Sequence, residues 1–264
     1  MRYVVQAVRM NLRRAAQYRS SFLLQTIAQL IMTGGDLWAV LMLLERFGGM
    51  GHWGRYEILF FFGAMHLVFS FTEIADRGLG RFSSMIRTGS FDTVLVRPRG
   101  ALLQVMLAEM DPRRIGSILV ALTSLIVASR GLALRWTAAK ILLLLWSAMG
   151  TGCLMMGLFL LEAVVCFFSV QSIEIVNVLT YGGRQVCQYP MDLYTGWIRT
   201  LFTAVVPIAL CLQMPVSVIL ERQEMLAGMQ PGWVWAFPLL GPCVFGLIAL
   251  IWMAGVRHYR STGT

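Results

Sequence analysis

Charged side chains are scarce in this chain of 264 residues, and lysine is all but missing: Lys140 is its only one. Asp, Glu, Lys and Arg together make up 13% of the residues, against about 25% in an ordinary soluble domain. The shortage of lysine has a chemical consequence. A phosphate-cradling P-loop needs a Gly-Lys pair, in which backbone N–H groups and the ammonium hold the phosphates. The single lysine lies in "TAAKIL", so these residues cannot build such an ATP site, and no cofactor is expected on this chain. Cysteine shows no pairing pattern. Cys153, Cys166, Cys187, Cys211 and Cys243 form no CxxC and lie in or beside apolar sequence, which points to buried thiols rather than a disulfide framework or a metal site. The histidines, His52, His66 and His258, are far apart, and Asp36, Asp76, Asp92, Asp111 and Asp192 are isolated from one another. An enzyme that transfers phosphatidyl groups needs aspartates spaced along helices to hold metals. A lipid-modifying membrane enzyme therefore stands only as an alternative, and no catalytic or metal-binding residue is expected. A cleavable signal peptide is not expected either: the first apolar stretch starts near Ser21, is too long, and lacks a small-residue cleavage pattern.

What is abundant is apolar sequence. Hydrophobic residues make up 58% of the chain and the mean hydropathy is +0.70. Several stretches exceed the roughly 20 apolar residues needed to cross a hydrocarbon core. The expected fold is an all-α integral membrane protein, one transmembrane domain over residues 1–264 with six spans. Residues 1–19 are amphipathic, with Arg2, Gln6, Arg9, Arg13 and Gln17 opposite Val5, Val8 and Leu12, as in a helix lying flat at the interface. Spans are expected at 21–47, 56–74, 114–129 (starting as early as 102), 138–164 and 233–256. Between them, 167–190 is read as a fifth span with one wet face, carrying Gln171, Glu174, Asn177 and Arg184. Residues 189–222, interrupted by Pro190, Pro207 and Pro215, are read as a re-entrant extracytoplasmic region. The competing assignment makes 197–220 the fifth span and leaves 167–190 in the cytoplasm. Gln171, Glu174, Asn177 and Arg184, with Asp36 of the first span, are the candidates for lining a translocation path, because charge at membrane depth is costly and turns toward a cavity or partner. The small residues Ser117, Ala121, Ser124 and Ala128 share one face of the third span and suit close helix packing.

The net charge is +9. The arginines flank apolar spans instead of decorating a basic domain, so nucleic acid is not an expected partner. Fourteen of them fall in the N-terminal segment, the insert at 75–113 with the adjoining Arg114, and the tail; eight cations, Arg184 among them, fall in the opposite turns. The positive-inside rule then places both termini and the insert in the cytoplasm. Within the insert, "RGLGRFSSMIRTGSFD" mixes Arg81 and Arg87 with Phe82, Met85, Ile86 and Phe91. Such a composition suits a short helix that buries an apolar edge in a partner and rings it with cations. "RPRG" (Arg97, Pro98, Arg99, Gly100) then stops the helix.

At this point the chain resembles a known family. The interfacial helix, the six spans and the basic insert after span two look like the membrane subunit of a type-2 ABC exporter. "TGSFDTVLVRPRGALLQV" is similar to the "G-x-x-D-x-x-L-x-R-P" stretch of one branch, matched by Gly89, Asp92, Leu95, Arg97 and Pro98. "QYPMDLYTGWIRTLFTAVVPIALCLQMPVSVIL" is similar to its proline-marked region before the last span, matched by Tyr189, Pro190, Pro207 and Pro215. The resemblance implies that the insert is a coupling helix seated in an ATPase subunit, which would carry ATP and Mg. It also implies a second permease, either the same chain or a paralogue, and a cell-membrane location among lipids. The insert would pass the ATPase movement to spans two and three, and the cargo is expected to be amphipathic or hydrophobic. A non-transporting assembly or sensor protein is the remaining alternative.

Overall fold

The computed structural model describes residues 2–17, 19–47, 49–167, 176–222 and 231–259. Every named element among them is helical. Helix α1 (Arg2–Gln17) leads into α2 (Arg19–Phe47); α3 (Arg55–Gly80) is followed by the short α4 (Phe82–Arg87), α5 (Ser90–Leu95) and α6 (Ala101–Ala108). After a single turn at Pro112–Arg114 come α7 (Ile115–Gly131) and α8 (Ala138–Val165). Residues 176–187 are helical and end in α9 (Gly183–Cys187); α10 (Trp197–Thr200), α11 (Met214–Ile219) and α12 (Leu240–His258) complete the chain. Among the described residues, five helical stretches are long and apolar enough to cross a membrane, and the bent pair Trp197–Val205 and Ala209–Ile219 makes a sixth if counted as one span. This is an all-α integral membrane protein.

The expected spans at 21–47, 56–74, 114–129, 138–164 and 233–256 correspond to α2, α3, α7, α8 and α12. Two boundaries differ. Helix α3 runs on to Gly80, so the insert begins at Arg81 rather than residue 75. The reason is local: Glu73 is buried and paired with Arg114 at 2.7 Å, which keeps that polar turn inside the bundle. The third span does not start at 102. Helix α6 stops at Ala108, Glu109 is extended, and Asp111 caps a fresh turn by accepting from the Arg113 N–H at 3.3 Å.

Helix α3 is the centre of the bundle, with Phe60, Phe61, Phe62 and Met65 fully buried. It packs on α7 and α8. The small face of α7 meets neighbours in the same chain: Ser117, Ala121, Ser124 and Ala128 are all buried. Ser124 Oγ donates to the Leu59 carbonyl at 2.8 Å, and the Thr33 hydroxyl donates to Ser117 Oγ at 2.8 Å. Backbones approach closely here; a Cβ on Gly63 would lie 2.9 Å from the Ala121 carbonyl oxygen. The α8–α12 seam is tighter still, since a Cβ on Gly241 would come within 1.8 Å of the Gly150 carbonyl oxygen. Close approach of this kind is how spans gain contact energy in lipid, where the hydrophobic drive between helices is absent. Helices α2 and α12 leave most of their apolar surface uncovered.

Side-chain contacts define the two ends of the bundle. At one end, α1 packs against α6 through Asn11, whose amide donates to the Leu107 carbonyl at 3.3 Å. Phe167, just beyond α8, meets Phe82 and Phe91 of the insert and Trp252 and Tyr259 near the end of α12. At the opposite end, the Trp53 indole N–H donates to both Asp192 carboxylate oxygens at 3.0 and 2.9 Å. Arg222 there binds Glu57, and Lys140 binds Glu221 at 2.7 Å. The chain thus passes from Phe167 at the insert end to Asp192 at the far end. The bent pair, its two helices inclined by 75°, lies between Asp192 and Arg222, whose side chains both bind at that far end.

Candidate functional site

The insert is built from two one-and-a-half-turn helices joined at Gly89, whose φ of +67° suits glycine and lets α5 fold back on α4. Apolar residues at helical spacing point inward: Phe82 and Ile86 from α4, Phe91 and Val94 from α5, all buried. Phe82 lies 4.9 Å from Phe91, 4.6 Å from Trp252 and 5.1 Å from Phe167, centroid to centroid. Phe91 lies 5.1 Å from Tyr259. These edge-on and tilted rings make one aromatic cluster that fastens the insert to the ends of α8 and α12. A Cβ on Gly255 would come 2.7 Å from Phe167, so glycine leaves the room that ring occupies.

This corrects part of the sequence reading. Phe82 and Phe91 do not offer an apolar edge to a partner; their rings are fully buried within the chain, because α12 and Phe167 bring a complementary aromatic surface that no local pattern reveals. Met85 is half-buried beside them. Arg81 is also committed internally, forming an ion pair with Glu109. The exposed apolar surface of the insert lies at its tip, at the end of α5. Val96 is 84% exposed and Leu95 39%, flanked by exposed Arg87, Arg97, Pro98 and Arg99. The tip has a defined shape: the Arg99 N–H donates to the Arg97 carbonyl at 2.7 Å, which sets Pro98 at the apex. Gln104 of α6 braces it, donating to the Val94 and Arg99 carbonyls at 3.2 and 3.0 Å. Asp92 is half-buried on α5. Leu95 and Val96 were absent from the expected docking set, although "TVLV" ahead of "RPRG" was the signal for them.

Of the candidate path residues, Gln171 and Glu174 lie outside the described residues. Asn177 is half-buried on the helical stretch that ends in α9. Arg184 is not in an outer turn, as its grouping with the far-side cations assumed. Its guanidinium lies 4.9 Å over the Phe69 ring, midway along α3, a cation–π contact that suits a low-dielectric site. Asp36 is half-buried on α2 and lies within electrostatic reach of Tyr189. Arg184 lies on the stretch that bears Asn177, and Asp36 lies on α2 near that stretch's end at Tyr189.

The three prolines play different parts. Pro190 follows the helix that ends at Cys187, and Pro207 stands at the 75° bend. Pro215 does not break its helix. It lies in the first turn of α11, directly after a wide π-helical turn at Ala209–Gln213 that absorbs the missing N–H. Gln213, which no local pattern marks out, pins the bend. Its side-chain oxygen accepts from the Met191 N–H at 2.9 Å, and its amide donates to the Cys187 and Tyr189 carbonyls at 2.9 and 2.8 Å. Irregular backbone at membrane depth needs such internal partners.

Comparison with known families now bears on this arrangement. Residues 30–263 match a family described as "ABC-2 family transporter protein". The chain belongs to the ABC-2 transporter family. The match runs from within α2 to the C-terminal tail and so includes the insert, the bent pair and four complete long spans of this ABC-2 permease, with the second half of the first. No curated protein and no solved structure matches the chain.

Proposed function

We propose that this ABC-2 permease exports its cargo under the drive of a separate ATPase, and that the tip at residues 95–99 is where that ATPase grips. The observation that carries the reading is the tip itself: an exposed Leu95–Val96 pair, ringed by arginines and braced from behind. Apolar groups surrounded by cations, on a stiff base, suit a groove in a folded partner better than they suit water. ATP and Mg belong to that partner, since the permease contains no Gly-Lys phosphate loop.

Movement at the tip reaches more of the bundle than the chain order implies. It passes covalently to α3 and through α6 toward α7. The aromatic cluster adds α8 and α12, so four spans share the push. Orientation follows from the arginines: the insert, α1 and the tail face the cytoplasm, and the bent pair is re-entrant from the outside. A second permease, the same chain or a paralogue, covers part of the bare apolar surface of α2 and α12, with lipid on the rest. The path lies beside the stretch bearing Asn177 and Arg184, with Asp36 across from it. With few charges and many apolar neighbours, it favours an amphipathic or hydrophobic cargo.

The test is purification of the permease from its native membrane, followed by nucleotide hydrolysis assays on what co-elutes. An ATPase that co-elutes with wild type and is lost in V96D/R97E, with the variant still folded in the membrane, supports the reading. Retention of hydrolysis by the double variant refutes the assignment of the tip.

A further inference from the structure

A second polar feature lies at the insert end, away from the tip. A cavity of about 410 Å³ opens between α1, the foot of α2, the end of α3 and the loop before α7. Arg77, Arg81 and Arg113 reach its wall, together with Ser21, Gln25 and Glu109. Three arginines thus meet two carboxylates, Glu109 in the wall and Asp111 behind Arg113. Arg81 takes Glu109 in a direct ion pair, while Arg77 approaches it only to 4.0 Å. Arg113 is held by Asp111, through a hydrogen bond of 2.8 Å to Oδ2, and its Nη1 donates to the Gln25 side-chain oxygen, a neutral contact that an anion can displace. Burial would raise the Asp111 carboxyl, but its hydrogen bonds from Arg113 and the Arg113 and Arg114 charges bring it below the usual carboxylate range.

Phe22 and Met110 make part of the cleft wall apolar, and the face of α2 turned away from the cleft is apolar as well. Leu23, Leu24 and Ile27 at the foot of α2 are exposed, as are Val4, Val5 and Met10 of α1. Helix α1 is amphipathic, as are helices that lie where headgroups meet acyl chains. A ligand that fits both parts carries an anion at one end and hydrocarbon at the other. We propose that the cleft holds the phosphate of an anionic membrane lipid, with its acyl chains leaving past Phe22 and Met110 toward the exposed apolar surface of α2. Arginine suits this role because its planar fork of donors matches phosphate oxygens in pairs. The site is independent of the ATPase docking surface: Arg77 and Arg113 lie outside the tip, and lipid occupancy requires no partner chain.

The full-length permease in mild detergent, titrated with phosphatidylglycerol or phosphatidylcholine and read by native mass spectrometry, tests this. We expect preferential retention of phosphatidylglycerol, about fivefold weaker in R77Q and weaker again in R77Q/R113Q, with R77K restoring part of it. Phosphatidylcholine retention stays the same in all variants. R46Q, at the far end of α2, serves as the control and leaves both lipids unaffected. Because R113Q disturbs the loop, R77Q with an unchanged melting temperature carries the decision. Equal retention of the two lipids, or no change in R77Q, overturns the proposal. Displacement of the lipid by millimolar inorganic phosphate as effectively as by added phosphatidylglycerol also overturns it, since the cleft would then be a site for free phosphate.

Discussion

Replacing Phe91 by Ala separates an insert fastened to its own bundle from one that saves its aromatic rings for a partner. The Phe91 ring is fully buried and lies within 6.2 Å, centroid to centroid, of Phe82, Phe167, Trp252 and Tyr259. Removing a ring from such a site costs about 3–5 kcal/mol in soluble cores, and the lower figure applies if the neighbours relax into the space. The loss falls on the contact between the insert and α12, not on the spans, so it is read as local opening. About 3 kcal/mol is somewhat more than a hundredfold in the opening equilibrium. Hydrogen exchange on the purified permease should therefore show amides of α4 and α5 exchanging at least about 100-fold faster in F91A. Amides of α7 and of the first half of α8 should be unchanged. V96A, which removes an exposed side chain, should leave α4 and α5 as protected as in wild type. If F91A and wild type exchange alike, the aromatic cluster does not hold the insert and the route from the tip to α8 and α12 fails.

Other consequences follow from the packing and the far end. G150L should abolish folded yield in the membrane, because a Cβ there already falls 2.3 Å from the Pro238 carbonyl oxygen; normal yield and gel-filtration behaviour would contradict the seam. R222Q leaves the Glu57 carboxylate, 7% exposed, without its main cation and should cost roughly 2 kcal/mol, since the arginine itself is partly solvated. Thermal unfolding measures it, and E57Q/R222Q should recover part of the loss. W197C and E221C should react with an impermeant thiol reagent added outside intact cells, and V96C should react only after permeabilisation. Labelling of Trp197 and Glu221 positions from opposite sides would make the bent pair a true crossing. Q213A should loosen the bend and raise the reactivity of Cys211 and Cys187, both buried in wild type, toward small thiol reagents.

The long spans were legible because a bilayer-length apolar run admits one solution in lipid: a helix that pairs its own backbone. Glycine at 89 and proline at 98 likewise announced the turn and the apex of the insert, since few other conformations are open to them. The destination of the insert's aromatic rings was not legible. Phe82 and Phe91 look the same in sequence whether they pack on a partner or on Trp252, which lies more than 150 positions away. The same blindness hid the role of Gln213, whose partners at residues 187–191 come near only once the chain has bent back. Pro215 misled for a related reason: proline is read as a helix breaker, but a preceding π-turn removes the hydrogen bond it would have broken. The small face of α7 was readable as a packing face, while its partners, α2 and α3 of the same chain, were set by tertiary structure.

The claim on which transport rests is that residues 95–99 touch a nucleotide-hydrolysing chain on the cytoplasmic side. Photo-crosslinking from position 96 in intact membranes tests it most directly. The account predicts a single dominant protein adduct with an ATPase subunit, lost when R97E is added. Adducts with lipid alone, or with a protein on the outer face, would contradict it.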